Sequence, residues 1–353
     1  RKASGRRKGF GCPMKKRFLM LIAAWAVFAV LLSGFSFAFA APEEIVLTFG
    51  GDCVLGTREQ WKKKKNTFDT VIAANGMEWC FEKIREPFET DDLSTVNLEV
   101  VLQKGSKGHE KGKKYTFRGD PSYTGILSAA SIEHVNLANN HYIDFGRPGR
   151  ASTVEALEAG GIAYSGYTYR YVAELHGHKI GFGGCRETVW RQKPEVMRED
   201  LQALREAGCE VIVYSCHWGK EYAARHNERQ EQMAQEEIKG GADLVIGTHP
   251  HVVQGVDERN GAVILYSLGN LVFGGTHQMK TFDGLLAQTV LRFDEQGYAG
   301  LTLRLIPVLT SGSAPENDFR PVFAEGEDAA RIFDSVQQDS PFDVSGEIWF
   351  PAR

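Results

Sequence analysis

Three features of this sequence predict an α/β fold. Short runs rich in Val, Ile and Leu alternate with stretches of helical character between Glu44 and Leu265. Several of these runs break off abruptly at Asp, Glu, Asn or His. The chain is also long enough, at 353 residues with 42% of them hydrophobic, to bury the core of one large or two modest domains. In folds of this class, ligands gather outside the strand ends.

The first strand is predicted at Glu44–Phe49, with Gly50-Gly51 allowing a tight turn that leaves Asp52 at its end. Residues 57–92 are mostly helical or irregular, and the basic run Lys62–Lys65 reads as a solvated face. A strand over Ser94–Glu99 puts Asn97 and Glu99 on one side of the pleat. The Gly- and Lys-rich segment Lys104–Lys114 cannot build core. It reads as a mobile surface loop, or as a local positive patch open to an anionic polymer, and its His109 is given no metal role.

A helix over Pro121–Ala130 and a strand over Glu133–Ala138 lead into Asn139-Asn140-His141-Tyr142-Ile143-Asp144, dense in polar groups. Ala151–Ala159 is a helix stopped by Gly160-Gly161. Residues 171–184 form a hairpin about His176-Gly177-His178, whose two histidines are expected to face solvent. A helix over Glu195–Ala207 precedes the strand Glu210–Tyr214, which delivers His217. After a helix over Asn227–Ile238, the run Leu244-Val245-Ile246 delivers His249 and His251. In extended backbone those two imidazoles face the same way, so both can look at one centre. Ala262–Tyr266 leads to Asn270, and Gly284–Leu309 alternates as a long hairpin. Beyond Ser311 the chain is polar and is expected to be irregular and on the surface.

The N-terminus differs in kind. Residues 1–17 carry eight basic and no acidic side chains, and Phe18–Phe39 is almost wholly apolar, ending in Ala38-Phe39-Ala40. This pattern fits a secretory signal starting at Met14 and cleaved after Ala40, with an uncleaved membrane anchor as the rival. Either way the rest is expected to be exported, extracellular or periplasmic. The expected organisation is a signal or anchor with upstream sequence at 1–40, a main domain at 41–311 and a C-terminal extension at 312–353. Without those eight basic residues, 33 basic stand against 45 acidic, a balance of about −12. A nucleic-acid binder shows the opposite bias. The five cysteines beyond residue 40 lack zinc-ribbon spacing and read as small core residues, with Cys53 and Cys216 pointing away from neighbouring candidate ligands.

Five strand ends therefore offer Asp52, Glu99, Asn140 with His141, His217, and His249 with His251. Any one of them is ordinarily structural, but a dry core would not select all five. Setting His141 aside, one Asp, one Glu, one Asn and three His suit one or two divalent ions such as Zn²⁺, Mn²⁺ or Fe²⁺.

The motifs GGDCVLG, VNLEV, LANNHYIDFG, SCHWGKEY, GTHPHVVQ and YSLGNLVF follow one another in the order seen in the CapA-type poly-γ-glutamate capsule synthesis family. That family resembles the calcineurin-like metallophosphoesterases, so the resemblance implies a layered α/β fold with a β-rich core flanked by helices. It also implies that Asp52 and His251 bind one ion, that Glu99 bridges, and that Asn140, His217 and His249 hold the second. By the same resemblance His141 is similar to the histidine that protonates a leaving group, oriented by Asp144. Glu221 and Asn270 are implied substrate or supporting contacts. The pattern departs from the metallophosphoesterases at Val54, which stands where Asp-x-His would place a further ligand.

The function expected from these residues is a metal-dependent, hydrolase-like step in synthesis, export or trimming of an anionic capsule polymer such as poly-γ-glutamate. Two rivals are an exported phosphodiesterase or phosphatase, and a non-catalytic subunit that binds polymer or a membrane synthase.

Overall fold

The computed structural model describes residues 43–353. Two mixed sheets lie face to face, with helices on both outer faces. In the nine-stranded sheet, seven strands run in the order Val322–Phe323, Gly297–Leu309, Asp283–Asp294, Glu43–Val54, Leu93–Leu98, His134–Asn136 and Ala163–Ser165. Asn270–Phe273 joins beside the end of the first strand, and Ile348–Pro351 pairs with Gly297–Leu309. The six-stranded sheet runs Val256–Arg259, Ala262–Leu265, Leu244–Thr248, Val211–His217, His178–Arg186 and Tyr171–Leu175. A small three-stranded sheet, Thr57–Arg58, Phe117–Gly119 and Val101–Leu102, caps one end. This is the metallophosphoesterase-like layered α/β fold that the motifs imply.

Alternation explains why the strands read as unbroken apolar runs: both faces of each sheet are covered. Ile45, Leu47 and Phe49 meet Val211, Val213, Leu244 and Ile246 in the core between the sheets. The intervening residues Ile212, Tyr214 and Val245 face outward onto Met197, Leu201, Met233 and Ile238. Those last four belong to the helices Pro194–Glu206 and Glu228–Gly240. On the other outer face, Val96, Leu98 and Val135 pack under Phe68, Ile126 and Leu157. Glu228–Gly240 opens on a capping box in which Asn227 and Gln230 satisfy each other's backbone N–H groups.

Parity also carries polar residues to the rim. Continuing the inward set of Val211 and Val213 brings His217 to the seam between the sheets, while Cys216 points out into the helical layer. Leu93, in the inner core, shares parity with Asn97 and Glu99. Asp52 breaks this rule, because counting from Phe49 would turn it outward. A register shift between Phe49 and Asp52 reverses the parity and brings its carboxylate inward.

The two glycines before Asp52 do not make a turn, since the strand runs through to Val54. They permit close approach instead. A Cβ on Gly51 would run into the carbonyl oxygen of Gly269, where Asn270–Phe273 begins to pair alongside the strand, and Asp52 N donates to that oxygen at 2.9 Å.

The segment beyond Ser311 is ordered rather than irregular. It adds two strands to the large sheet, and its helix Gly326–Gln337 sends Ile332 and Val336 into the inner core with Val344 and Phe350. Its surface is polar because the amphipathic helix shows only its outer face. One of the two hairpin histidines also differs from expectation. His176 is half-exposed beside Asp92, but His178 stacks on Phe293 at 3.7 Å and pairs with Glu210. The helix expected to begin at Ala151 starts at Gly146, and Lys62 pairs with Asp69 while its lysine neighbours stay exposed. All five cysteines of the described residues are free and buried, and the Cys53 and Cys216 side chains lie in the outer cores. No helix among the described residues is long and apolar enough to cross a membrane, and the Phe18–Phe39 run lies outside them.

Candidate metal centre

The seam between the sheets gathers two donor groups that share one carboxylate. Glu99, His217 and His249 offer atoms within 4.8 Å of one another, and so do Asp52, Glu99 and His251. Asp52 and Glu99 come from the large sheet, and the three imidazoles from the ends of two neighbouring strands of the other.

Each donor is held by identifiable contacts. Asp52 Oδ1 accepts from Asn97 Nδ2 at 2.7 Å, and Asp52 Oδ2 accepts from the His249 backbone N–H at 3.2 Å. His251 Nδ1 lies 3.0 Å from Asp52 Oδ2 and 2.9 Å from Asn270 Oδ1. His217 Nδ1 is 3.1 Å from Thr248 Oγ1, whose own hydrogen goes to Cys216 O. That leaves His217 Nε2 facing Asn140 Oδ1 at 2.9 Å and Glu99 Oε1 at 3.6 Å. Asn139, just before Asn140, ties the loop down through Asn97 Oδ1 and Leu98 O.

His249 and His251 do not reach the centre by extended alternation. The strand ends at Thr248, and both histidines sit in left-handed backbone, with φ of 97° and 56°. Such conformations are strained for residues with a Cβ and mark sites that the surrounding structure holds in place. Here they separate the two rings by 5.9 Å, so that His249 joins one donor group and His251 the other.

Both Glu99 oxygens and His249 Nδ1 are buried without a hydrogen-bond partner among the described residues. A carboxylate shielded this way is costly unless a cation meets it, and neutral imidazoles with free lone pairs suit a divalent transition metal. The residues present therefore fit a metal ion. Charges follow the same logic. Burial, then the nearby Asp52, pushes the Glu99 carboxyl well above the usual range. Burial and the neighbouring cationic groups hold His217 far below its ordinary value and His249 down to about 4. At His251 burial pulls downward, but Glu99 and Asp52 outweigh it and raise the ring to about 9.

His141 lies beside this centre, not in it. Its Nδ1 is 2.7 Å from Asp144 Oδ2 and its Nε2 is 3.8 Å from Glu99 Oε1. Phe117 lies over the ring at 4.3 Å, and the Phe117 N–H also donates to Asp144. Burial lowers the His141 pKa while Asp144 opposes that shift. Glu221 is exposed on the turn after His217, close enough to act on His251, and Asn270 touches His251 directly. Val54 is fully buried in the outer core, so the position two residues after Asp52 supplies no donor.

Two participants escaped the sequence reading. Lys113, from the Gly- and Lys-rich loop, inserts its ammonium between Asp144 Oδ1 and the Asn140 carbonyl oxygen. Nothing distinguished it from the other lysines of its run. Arg186 is the register partner of His217, and it shares the inward parity of Ile180 and Phe182. Counting strand parity from the apolar run would have found it.

The description of a bacterial capsule synthesis protein, PGA_cap, fits residues 46–275 of this chain. The chain is 26% identical over 334 residues to the capsule biosynthesis protein CapA of Bacillus anthracis, covering 87% of this chain and 75% of that one. It is 28% identical over 292 residues to the PGA biosynthesis protein CapA of Bacillus subtilis, covering 76% of each. A probable polyglutamine synthesis accessory protein of Mycobacterium tuberculosis is 24% identical over 255 residues, 62% of this chain and 66% of that one. With the family match spanning well over half of its length, the chain belongs to the bacterial capsule synthesis family PGA_cap.

Proposed function

We propose that this protein is an exported accessory of capsule poly-γ-glutamate synthesis whose metal centre cleaves or trims the polymer. One observation carries the catalytic part of this reading: a buried carboxylate, Glu99, shared by two donor groups and unpartnered by the protein. The names of the relatives supply the polymer. The basic, apolar N-terminal segment supports export, with or without retention as an anchor.

Asp52, Glu99 and His251 would hold one divalent ion, and Glu99, Asn140, His217 and His249 another, with Zn²⁺, Mn²⁺ and Fe²⁺ all compatible with these donors. When bound, such an ion polarises a scissile carbonyl or phosphoryl group and lowers the pKa of water. The chain's own residues do the rest. Asp144 accepts from His141 Nδ1–H, which fixes the ring and leaves Nε2, facing the centre, as the atom that exchanges a proton. His141 then serves as general acid toward the leaving amine. Lys113 holds Asp144 and the Asn140 carbonyl in register with one another.

The deciding experiment measures bound metal in the purified protein and turnover of poly-γ-glutamate and of phosphodiesters, for the parent and for His217→Ala and His249→Ala. Loss of metal and of poly-γ-glutamate cleavage is expected in both variants, and unchanged turnover removes the mechanism. Turnover of phosphodiesters alone would instead favour a phosphodiesterase.

A second reading, a non-catalytic subunit that binds polymer or a membrane synthase, is favoured by two observations. Val54 supplies no ligand to the first ion, and the exposed Lys104, Lys107 and Lys111 face outward. Salt-sensitive polymer binding without turnover, metal present or absent, would establish it.

A further inference from the structure

Arg186 ends the strand His178–Arg186 at the rim where the candidate centre lies. Its register partner across the parallel ladder is His217, and strand parity turns both side chains toward the seam between the sheets. Tyr167 binds the same strand, its N–H donating to Gly184 O at 2.8 Å, and its hydroxyl donates to Asn139 O at 2.7 Å. Arg186 thus neighbours His217 and the tyrosine that ties down the Asn140 loop. Its charge acts on His217, on His249 and on the Tyr167 hydroxyl.

What sets this guanidinium apart is a missing counter-charge in a place partly shielded from water. Among the described residues, other half-buried arginines either pair with carboxylates, as Arg118 does with Glu59 and Arg259 with Asp257, or lie against rings, as Arg58 does on Trp61 and Tyr115. Arginines without a carboxylate elsewhere, such as Arg191 and Arg225, stand exposed, where a lone charge costs little. Arg186 is half-buried and meets only the Tyr167 hydroxyl, a neutral oxygen that leaves the charge standing.

The centre gives that charge no partner either. Its acidic members are Asp52 and Glu99, whose two negative charges a single divalent ion already balances. Asp144 is taken by Lys113, and Glu221, exposed, acts on His251. A guanidinium beside imidazoles that receive a cation repels that cation, so the arrangement becomes favourable when an anion bridges the two. The planar N–H pair of an arginine matches the oxygens of a carboxylate or phosphate.

We infer that Arg186 is the specificity-determining residue of the centre, seating the acidic group that flanks the scissile bond of the substrate. This rests on the polymer reading and adds which feature of the polymer is recognised. A γ-linked glutamate chain carries a carboxylate on the carbon that bears each amide nitrogen. Holding that carboxylate on Arg186 brings the adjoining amide to the side of the centre formed by His217 and His249.

The test is calorimetric binding of three probes to the full, metal-loaded chain: a short γ-linked glutamate oligomer, the same oligomer with its α-carboxylates converted to carboxamides, and inorganic phosphate. The parent is compared with Arg186→Gln and Arg186→Lys, with metal affinity and thermal midpoint measured in each. The parent should bind the acid oligomer about tenfold or more tightly than the carboxamide. Arg186→Gln should lose about ten- to a hundredfold for the acid oligomer and nothing for the carboxamide, with Arg186→Lys between. Metal affinity in Arg186→Gln should be kept or tightened, because a like charge has gone, whereas loss of a merely structural arginine would weaken it along with the fold. Tight but equal binding of the two oligomers by the parent overturns the inference without recourse to any variant. Undiminished binding of the acid oligomer by Arg186→Gln also overturns it and leaves the polymer reading standing. Phosphate bound by the parent and lost in Arg186→Gln, with neither oligomer bound, keeps Arg186 as the anion seat and removes the polymer reading. A parent that binds none of the three overturns both.

Discussion

Glu99 Oε1 stands 3.6 Å from His217 Nε2, and no group among the described residues donates a hydrogen bond to either oxygen of that carboxylate. The protein thus bears an isolated, shielded acid at the point where its two sheets meet. In a protein without bound metal such a group is a liability to the fold, and a bound cation would relieve that cost.

Glu99→Gln should therefore separate stability from metal binding. Without metal the variant is expected to be as stable as the parent or more stable by about 1–3 kcal/mol, because a buried acid is replaced by a neutral isostere. With metal the order should reverse, since the parent gains about 2.7 kcal/mol at a ligand concentration near a hundred times Kd and the variant gains little. Urea midpoints with excess chelator and with excess Zn²⁺ or Mn²⁺ check both halves.

The pair His141 and Asp144 yields a graded series. His141→Gln is expected to reduce turnover by about 10²–10⁴-fold with bound metal unchanged, as loss of a general acid does. Asp144→Asn should follow it in direction. Lys113→Met should give a smaller loss, because Lys113 reaches the reaction only through Asp144 and the Asn140 carbonyl. Steady-state kinetics paired with metal analysis distinguishes this ranking from simple unfolding.

Gly51→Ala tests the close strand pairing that aims Asp52. The added Cβ meets the Gly269 carbonyl oxygen, a backbone atom that cannot swing away. A loss of about 3 kcal/mol or more is expected from overpacking at a backbone contact, with weaker metal binding because Asp52 shifts with its strand. Denaturant midpoints and metal titration measure the two effects.

Stability should pass through a maximum in pH, set in part by two buried groups on opposite sides of neutrality. Burial alone holds the His134 imidazole near 3, against 6.5 when unfolded. Between these values the unfolded chain binds more protons, so His134's contribution is full above 6.5 and fades as the pH falls toward 3. Glu237 behaves oppositely. Burial raises it from 4.5 to about 8, with the Cys216 thiol donating to Oε1 at 2.8 Å as a lesser, opposing influence. The folded state then binds the extra proton, so its contribution is full below 4.5 and lost as the pH rises through 8. Urea midpoints across pH should show His134→Gln flattening the acid limb and Glu237→Gln the alkaline limb.

The strand ends were legible in the sequence because an apolar run that stops dead at a ligand-type residue leaves a visible edge. Val211–His217 and Leu244–Thr248 lie where those runs predicted them, with His217, His249 and His251 at the rim. What stayed hidden depended on contacts far apart in the chain. The inward aim of Asp52 comes from a register shift that no local pattern marks, and the left-handed backbone at His249 and His251 is imposed by neighbours, against residue preference. Lys113 was indistinguishable from the lysines around it until the fold carried Asp144 to it. The segment beyond Ser311 hid its core contribution behind a polar outer face, since one short amphipathic helix and two edge strands offer few apolar residues to read.

The split origin of the donors has a mechanical consequence. Asp52 and Glu99 ride on one slab of the sandwich, and His217, His249 and His251 on the other. An ion gripped by both works as a rivet, tying together stretches of polypeptide nearly two hundred positions apart, as Asp52 and His249 already are through one hydrogen bond. Loading the centre should then slow proteolysis and amide exchange throughout both slabs, far from any atom the ion touches.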